Sequence, residues 1–353
     1  MAVASHGDLV SVIEAAYRLD GDDGTWLARL VDRAARAGLD HGLGTCGMFY
    51  EVDGERVHVS SPVARGTPDG ALEALRMLEA QVSNDITYRF IKDATAAVGG
   101  RATCSTMSSR LQMGKRVREL DMHQRFLAPL GIVDFMSVAA TEPPTAHSST
   151  LLGCLVGAPL PEITGVKRAE AVAWSRVAAH MAAGMRLRRG RRTSAPSDAD
   201  TVLTPGGRVE HAGDQADTSL DALKEAAKSM SRARGSSRHA DPPGAVEAWK
   251  ALVSGRWTLL DHFDHDGKRY IVAVRNDPQV PAFAELSPRE AQVVAYAAQG
   301  HANKLIAYEL GIAPSTVAMH LSTAGGKLGA KSRVELIRVW RARTAPARSK
   351  VSA

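Results

Sequence analysis

The segment LSPREAQVVAYAAQGHANKLIAYELGIAPSTVAMHLSTAGGKLGAKSRVELIRVW, Leu286 to Trp340, decides how the rest of the chain is read. Ser287-Pro288-Arg289-Glu290 is a capping box with proline at the first helical position, so a helix starts there with its first free amides satisfied. Val293, Val294, Ala297 and Ala298 form one apolar stripe, and Gly300 supplies a left-handed stop. Asn303 is expected to cap a second helix that turns Ile306, Ala307 and Leu310 inward and closes at Gly311. After a short turn Pro314 opens a third helix, on which Val317, Leu321, Ala324 and Leu328 share a face. Ser332-Arg333-Val334-Glu335 is a second capping box, starting a fourth helix that buries Leu336, Ile337 and Trp340.

A helix, a tight turn and a second helix form the arrangement whose second member lies in the major groove of DNA. Ser315, Ala318, Met319 and Ser322 point away from the apolar stripe of the third helix, where base edges lie. Arg289, Lys304, Lys327, Lys331 and Arg333 are placed for backbone phosphates, with Asn303, Thr316 and His320 as further phosphate candidates. The motifs LSPRE, NK-I, TV-H, KLG and SR-EL, in that order, resemble the LuxR-type (GerE-type) DNA-binding domain over about 60 of the 353 residues. The resemblance implies an all-α four-helix domain that dimerises through its last helix and regulates transcription from paired half-sites.

Charge supports that reading over an ordinary helical interaction domain. From Leu286 to Ala353 ten Lys/Arg stand against three Asp/Glu, whereas the whole chain is +6, so the preceding residues carry a slight negative excess. Two features depart from the family. Ala313 stands where the recognition helix usually has a capping serine or threonine, a loss of about 1 kcal/mol. Gly325-Gly326, at about 1 kcal/mol each relative to alanine, predicts fraying near its end. The base-facing set also lacks the arginine or asparagine that reads a base bidentately, so modest, partly apolar base contacts are expected.

A length of 353 residues suits two or three domains, and 44% apolar with 5% aromatic residues predicts cores built from Ala, Val and Leu. Cys46, Cys104 and Cys154 are odd in number and far apart, without metal or disulfide spacing, which suits a reducing cytoplasm. No leader pattern and no long apolar run appears, so neither secretion nor membrane insertion is expected.

The chain then divides as follows. In a multidomain α+β chain, residues 1–190 read as one α+β sensory and dimerisation domain, with amphipathic helices at 8–19 and 25–37, and a hairpin about Asp53-Gly54. A helix at 69–83 and another near 115–127 follow, then strands in DFMSVAAT and TLLGCLVGAP and a long helix from Val166 to Arg189. The order looks like the GAF/PAS class of sensory domains, and TLLGCLVGAP with the following helix looks like the regulatory halves of some LuxR-type regulators. Ala171, Trp174, Ala178, Met181 and Met185 recur at three and four, which predicts either a dimer and signalling seam or packing on the helix's own sheet. Residues 191–200 read as a linker. Residues 201–278 read as a small PAS-like domain, with hairpins about Pro205-Gly206-Gly207 and Asp266-Gly267 around helices at 218–233 and 243–253. The DNA-binding unit spans 282–342, and 343–353 is a basic tail expected to be disordered.

Catalytic chemistry finds little support. There is no G-x-S-x-G, P-loop or H-E-x-x-H, and the β/α alternation of a phosphorylated receiver domain is missing. Asp261 to Asp266 looks like a metal-ligand run but reads better as a polar hairpin tip. No enzyme activity and no metal are expected. No cofactor can be named, and sparse aromatics argue against flavin or haem. The expected partners are double-stranded DNA, a second copy of the chain, a small-molecule or protein signal, and RNA polymerase. An interaction scaffold with weak DNA binding is the alternative.

Overall fold

The computed structural model describes residues 7–53, 56–73, 103–120, 123–143, 145, 150–190, 200–213 and 219–344. Helices α1 (Leu9–Ala16) and α2 (Asp23–Ala34) open the chain, each capped by an aspartate, Asp8 and Asp22, whose carboxylate accepts an amide of the first turn. Strands β1 (Thr45–Asp53) and β2 (Arg56–Arg65) pair antiparallel, as the Asp-Gly signal predicts. Then come β3 (Cys104–Thr106), a one-turn helix α3 (Met107–Arg110), β4 (Asp134–Glu142), β5 (Leu151–Leu160) and the long helix α4 (Arg168–Arg189). The five strands form one antiparallel sheet in the order β2-β1-β5-β4-β3.

Two expectations for this half need correction. The helix near 115–127 is instead a string of short turns, Gly114–Glu119 and His123–Leu127, without a continuous axis. Strand β3 was not anticipated, because three residues with only Cys104 and Thr106 buried carry too little pattern. The predicted helix at 69–83 lies outside the described residues beyond Glu73.

The second half begins with β6 (Thr201–Leu203) and β7 (Val209–Ala212), followed by α5 (Leu220–Arg234), the short α6 (Ser237–Ala240) and α7 (Pro242–Ala248). Strands β8 (Trp257–Phe263) and β9 (Arg269–Arg275) complete a four-stranded antiparallel sheet in the order β7-β6-β9-β8. Asp264 accepts the amides of Asp266 and Lys268 and so holds the β8–β9 turn. Its role is that of a turn residue, and no cluster of three His, Cys, Asp or Glu with metal-site geometry occurs among the described residues.

Helix α4 is the spine between the two sheets. Its face packs on β4 and β3, its Leu187 joins Leu260, Val272 and Val274 of the second sheet, and the main apolar core runs without a break through both halves. The Ala171–Met185 seam is therefore occupied. Trp174, Ala178, Met181 and Met185 are buried in their own chain's core, with Ala171 packed at its edge, so the stripe is not presented to a second copy. Gly184 shows how tight the crossing is: a Cβ there lies 2.2 Å from the Ala16 carbonyl oxygen of α1. Asn276, just past β9, pins the second sheet to the spine by donating to Ala183 O (3.0 Å) and Thr258 Oγ1 (2.9 Å).

Helices α8 (Pro288–Ala298), α9 (Asn303–Leu310), α10 (Pro314–Lys327) and α11 (Arg333–Thr344) form the C-terminal bundle. Residues 191–199 of the expected linker and 345–353 of the expected tail lie outside the described residues. No described helix is long and apolar enough to cross a membrane.

Candidate nucleic-acid interface and the face that docks it

The bundle follows its punctuation closely. The Ser287–Glu290 capping box is present in both directions, and Gly300 and Gly311 adopt φ of 88° and 60° after α8 and α9. Three local expectations change. Asn303 does not cap α9; the cap is Ala302, and Asn303 is the first helical residue. The second box closes one residue early: the Glu335 carboxylate accepts the amide of Lys331 (2.8 Å), while Ser332 Oγ accepts that of Glu335. Ala313 does cap α10 without a side-chain bond, but the helix runs through Gly325-Gly326 to Lys327. It ends in a Schellman turn, in which Ala330 N donates to Gly325 O (2.8 Å) and Gly329 N to Gly326 O (3.3 Å).

The outer face of α10 stands open. Ser315, Ala318, Met319 and Ser322 are all exposed, and Met319 at 55% is one of four exposed large apolar residues among those described. An exposed methionine amid small polar residues suits a groove contact, not a core.

The phosphate candidates divide into two groups. Lys304 and Lys331 are exposed, with no side-chain partner among the described residues, and Thr316 and His320 are half-buried. Burial, with the Arg289 cation nearby, lowers the pKa of His320 below the usual histidine range. The others are already engaged. Lys327 Nζ is 2.8 Å from the Glu290 carboxylate. Arg333 donates to Asn303 Oδ1 (2.5 Å) and His301 O (2.6 Å). Arg289 donates to Gln292 Oε1 (2.8 Å) and to the carbonyl of Ser254, outside the bundle.

That last bond belongs to a docking face which the sequence reading missed. Every residue of α8 from Glu290 to Ala298 is buried, because the side opposite the bundle core lies against the rest of the chain. On α9, Tyr308 reaches the spine. Its hydroxyl lies 2.6 Å from Val246 O, 2.7 Å from Trp249 O and 2.9 Å from His180 Nε2. His180 is fully buried on α4, with Nδ1 2.7 Å from the Tyr17 hydroxyl and Nε2 2.8 Å from Trp249 O. One proton arrangement satisfies the set: Tyr17 donates to Nδ1, Nε2–H donates to Trp249 O, and Tyr308 donates to Val246 O. That needs a neutral ring, and burial pushes the His180 imidazole down to about 3. The Lys250 ammonium (4.6 Å) and the Arg176 guanidinium (5.4 Å) each lie over the Tyr308 ring, and burial brings Lys250 down to about 8.

Backbone seals the contact. Gly311 combines φ of 60° with a close approach in which a Cβ lies 2.0 Å from Leu252 O, and Leu252 itself packs in the core of the bundle with Val293, Ile306 and Val317. The docking signal was hidden because Gln292, Tyr296, Tyr308 and Glu309 read as the solvent face of amphipathic helices.

Residues 284–340 match the family described as bacterial regulatory proteins, luxR family. The chain is similar to the transcriptional regulatory protein FixJ of Rhizobium meliloti, 33% identical over 112 residues that cover 29% of this chain and 55% of that protein. It is also similar to the transcriptional regulatory protein FixJ of Azorhizobium caulinodans, 32% identical over 115 residues, covering 29% and 53%. The chain spans about half the length of these curated relatives. Residues 284–340 are thus a luxR-type helix-turn-helix domain, at the C-terminal end of a chain of mixed helix and sheet.

Proposed function

We propose that this protein is a transcriptional regulator that reads duplex DNA as a homodimer through α10, with residues 1–278 acting as a sensory body that controls the DNA-binding domain. The observation that carries it is the open outer face of α10, with Lys304 and Lys331 exposed on the same domain. Ser315, Ala318, Met319 and Ser322 face base edges, while Lys304, Lys331, Thr316 and His320 meet phosphates. Arg289 ties the bundle to the body, Asn303, Lys327 and Arg333 tie the helices of the bundle to one another, and all four join the phosphates only on rearrangement. The β2-β1-β5-β4-β3 sheet, covered on one face by α1, α2 and α4, supports the GAF/PAS-like reading of the first half. The second, four-stranded sheet supports a reduced version of the same layout. A signal acts by binding the docked and released arrangements with different affinity.

The test is DNA selection with the full-length chain, followed by binding to the enriched site at two salt concentrations. A palindrome with half-sites about one turn apart is expected. Met319→Ala should shift base preference, and Lys331→Ala should lower the salt slope by about 1 while leaving preference alone. Failure to enrich any site sinks direct reading. A second reading is favoured by the short side chains of the base-facing set: a scaffold that binds DNA weakly and acts through RNA polymerase or another regulator. Under it, binding is salt-sensitive but indifferent to sequence.

A further inference from the structure

The contact between Tyr308 and the spine leads back to a recess on the far side of α1. It lies between the end of α1, helices α5 and α7, and strand β8, with a volume of about 510 Å³, within the range of small-molecule sites and at a junction between structural units. Its apolar wall combines the rings of Tyr17, Trp249 and Phe263 with the aliphatic side chains of Leu19, Met230, Leu259 and Leu260, and Phe263 stands 57% exposed.

The charged groups in the recess are unequally committed. Arg234 Nε donates to Glu14 Oε1 (2.8 Å) and is paired with Asp261, which also accepts from Arg269 Nε (2.7 Å). Asp20 is held by Arg29 at 2.9 Å. Each carboxylate therefore already has its cation. The Arg18 side chain is exposed and has no hydrogen-bond or ion-pair partner among the described residues, although its charge acts on Asp20. It also lines a second, smaller recess of about 200 Å³ shared with Arg29, Arg33, Arg36 and Arg238 and with the carboxylates of Glu14 and Asp32. A space walled by rings and aliphatic side chains thus opens past Arg18 onto a recess where five arginines outnumber the carboxylates of Glu14 and Asp32, which suits a ligand with a flat apolar body and an acidic end.

The same aromatic wall is wired to the DNA-binding domain. Tyr17 bonds His180, the Trp249 carbonyl lies within bonding distance of both His180 and Tyr308, and the Tyr17 and Trp249 rings meet at 5.9 Å.

We propose that this recess binds a small aromatic acid, its ring against Tyr17, Trp249 and Phe263 and its anionic group at Arg18, and that occupancy stabilises docking of the DNA-binding domain through Tyr17, His180 and Tyr308. The site supplies the signal of the regulator proposed above and rests on that reading for its purpose, but its chemistry is independent of it.

The experiment uses anilinonaphthalene sulfonate with the full-length chain, read as energy transfer from tryptophan. Saturable binding of one probe per chain is expected. Arg18→Gln should weaken it about tenfold, or about 1.4 kcal/mol, and Phe263→Ala about threefold. Both side chains are exposed, so both variants should fold. N-phenyl-1-naphthylamine, the same rings without the sulfonate, should bind about tenfold more weakly to the wild type and equally to wild type and Arg18→Gln. Hydrogen-exchange protection of residues 303–310 should rise with probe in the wild type but not in Tyr308→Phe. Non-saturable binding, or affinity indifferent to both substitutions, overturns the site. Unchanged or reduced protection at full occupancy overturns the coupling. If DNA selection fails while the probe binds as stated, the regulator reading falls and the site stands; the reverse pair of results removes the site alone.

Discussion

The two faces of the luxR-type domain differ in what they have left to bond. The outer face of α10 carries four small or flexible side chains, all exposed and none engaged. The face formed by α8 and α9 is closed: Tyr308, Gln292 and Arg289 bond to the body of the chain, and Leu252 of the body enters the bundle core. The domain is therefore held by helices that position the reading helix, not by the reading helix. Its recognition surface stays open while its orientation is set by the body. On the function proposed above, a change in the body reaches DNA by altering where α10 points, without having to uncover it.

The comparison breaks most completely at Tyr308. Tyr308→Ala removes a fully packed ring and its hydroxyl bonds and should weaken docking by on the order of 3–5 kcal/mol, as estimated for buried aromatic truncations. Limited proteolysis between the second sheet and α8 should then release the bundle, with base preference unchanged. Tyr308→Phe keeps the ring and deprives Val246 O of its donor, which should cost about 1–3 kcal/mol by the same assay.

A pH series sharpens the contrast. His180 has a folded-state pKa of about 3, below its ordinary value of about 6.5, so the released or unfolded chain binds the extra proton. Stability should fall as pH drops from about 6.5 towards 3, and the difference from His180→Leu, which lacks the titrating ring, isolates that slope. An identical pH dependence in the two proteins would remove His180 as the source. At the open face, Met319→Ala should change stability by no more than about 0.5 kcal/mol, because more than half of the side chain is in water. Its effect should appear in base preference alone.

Legibility followed the range of the interactions. Helix starts at Ser287 and Pro314, stops at Gly300 and Gly311, and the hairpins at Asp53 and Asp266 are set by one to four neighbouring residues, and the structure places them where they were expected. The Asn303 cap failed on the same scale by one position, since Ala302 takes the extended backbone that a cap requires. The α4 stripe was equally visible as a stripe, but periodicity does not name the surface it meets. Trp174 and Met181 meet their own chain. Arg289 and Lys327 likewise had the charge for phosphates, yet Ser254 O and Glu290 hold them in this arrangement.

Local sequence by itself determined the four helices of residues 288–344, because caps, glycine stops and apolar spacing act within a few residues, and the order of the motifs LSPRE, NK-I, TV-H, KLG and SR-EL pointed to the luxR family. It also determined where the positive charge lies. Only the tertiary structure decided that α4 serves two sheets at once and that one bundle face is bonded to the body. The same is true of the neutral His180 between Tyr17, Trp249 and Tyr308. The hydrogen bonds among Tyr17, His180, Trp249 and Tyr308 join residues between 59 and 163 positions apart, and polar side chains such as Tyr308 declare a buried role only when a partner removes their water and supplies the bonds in its place.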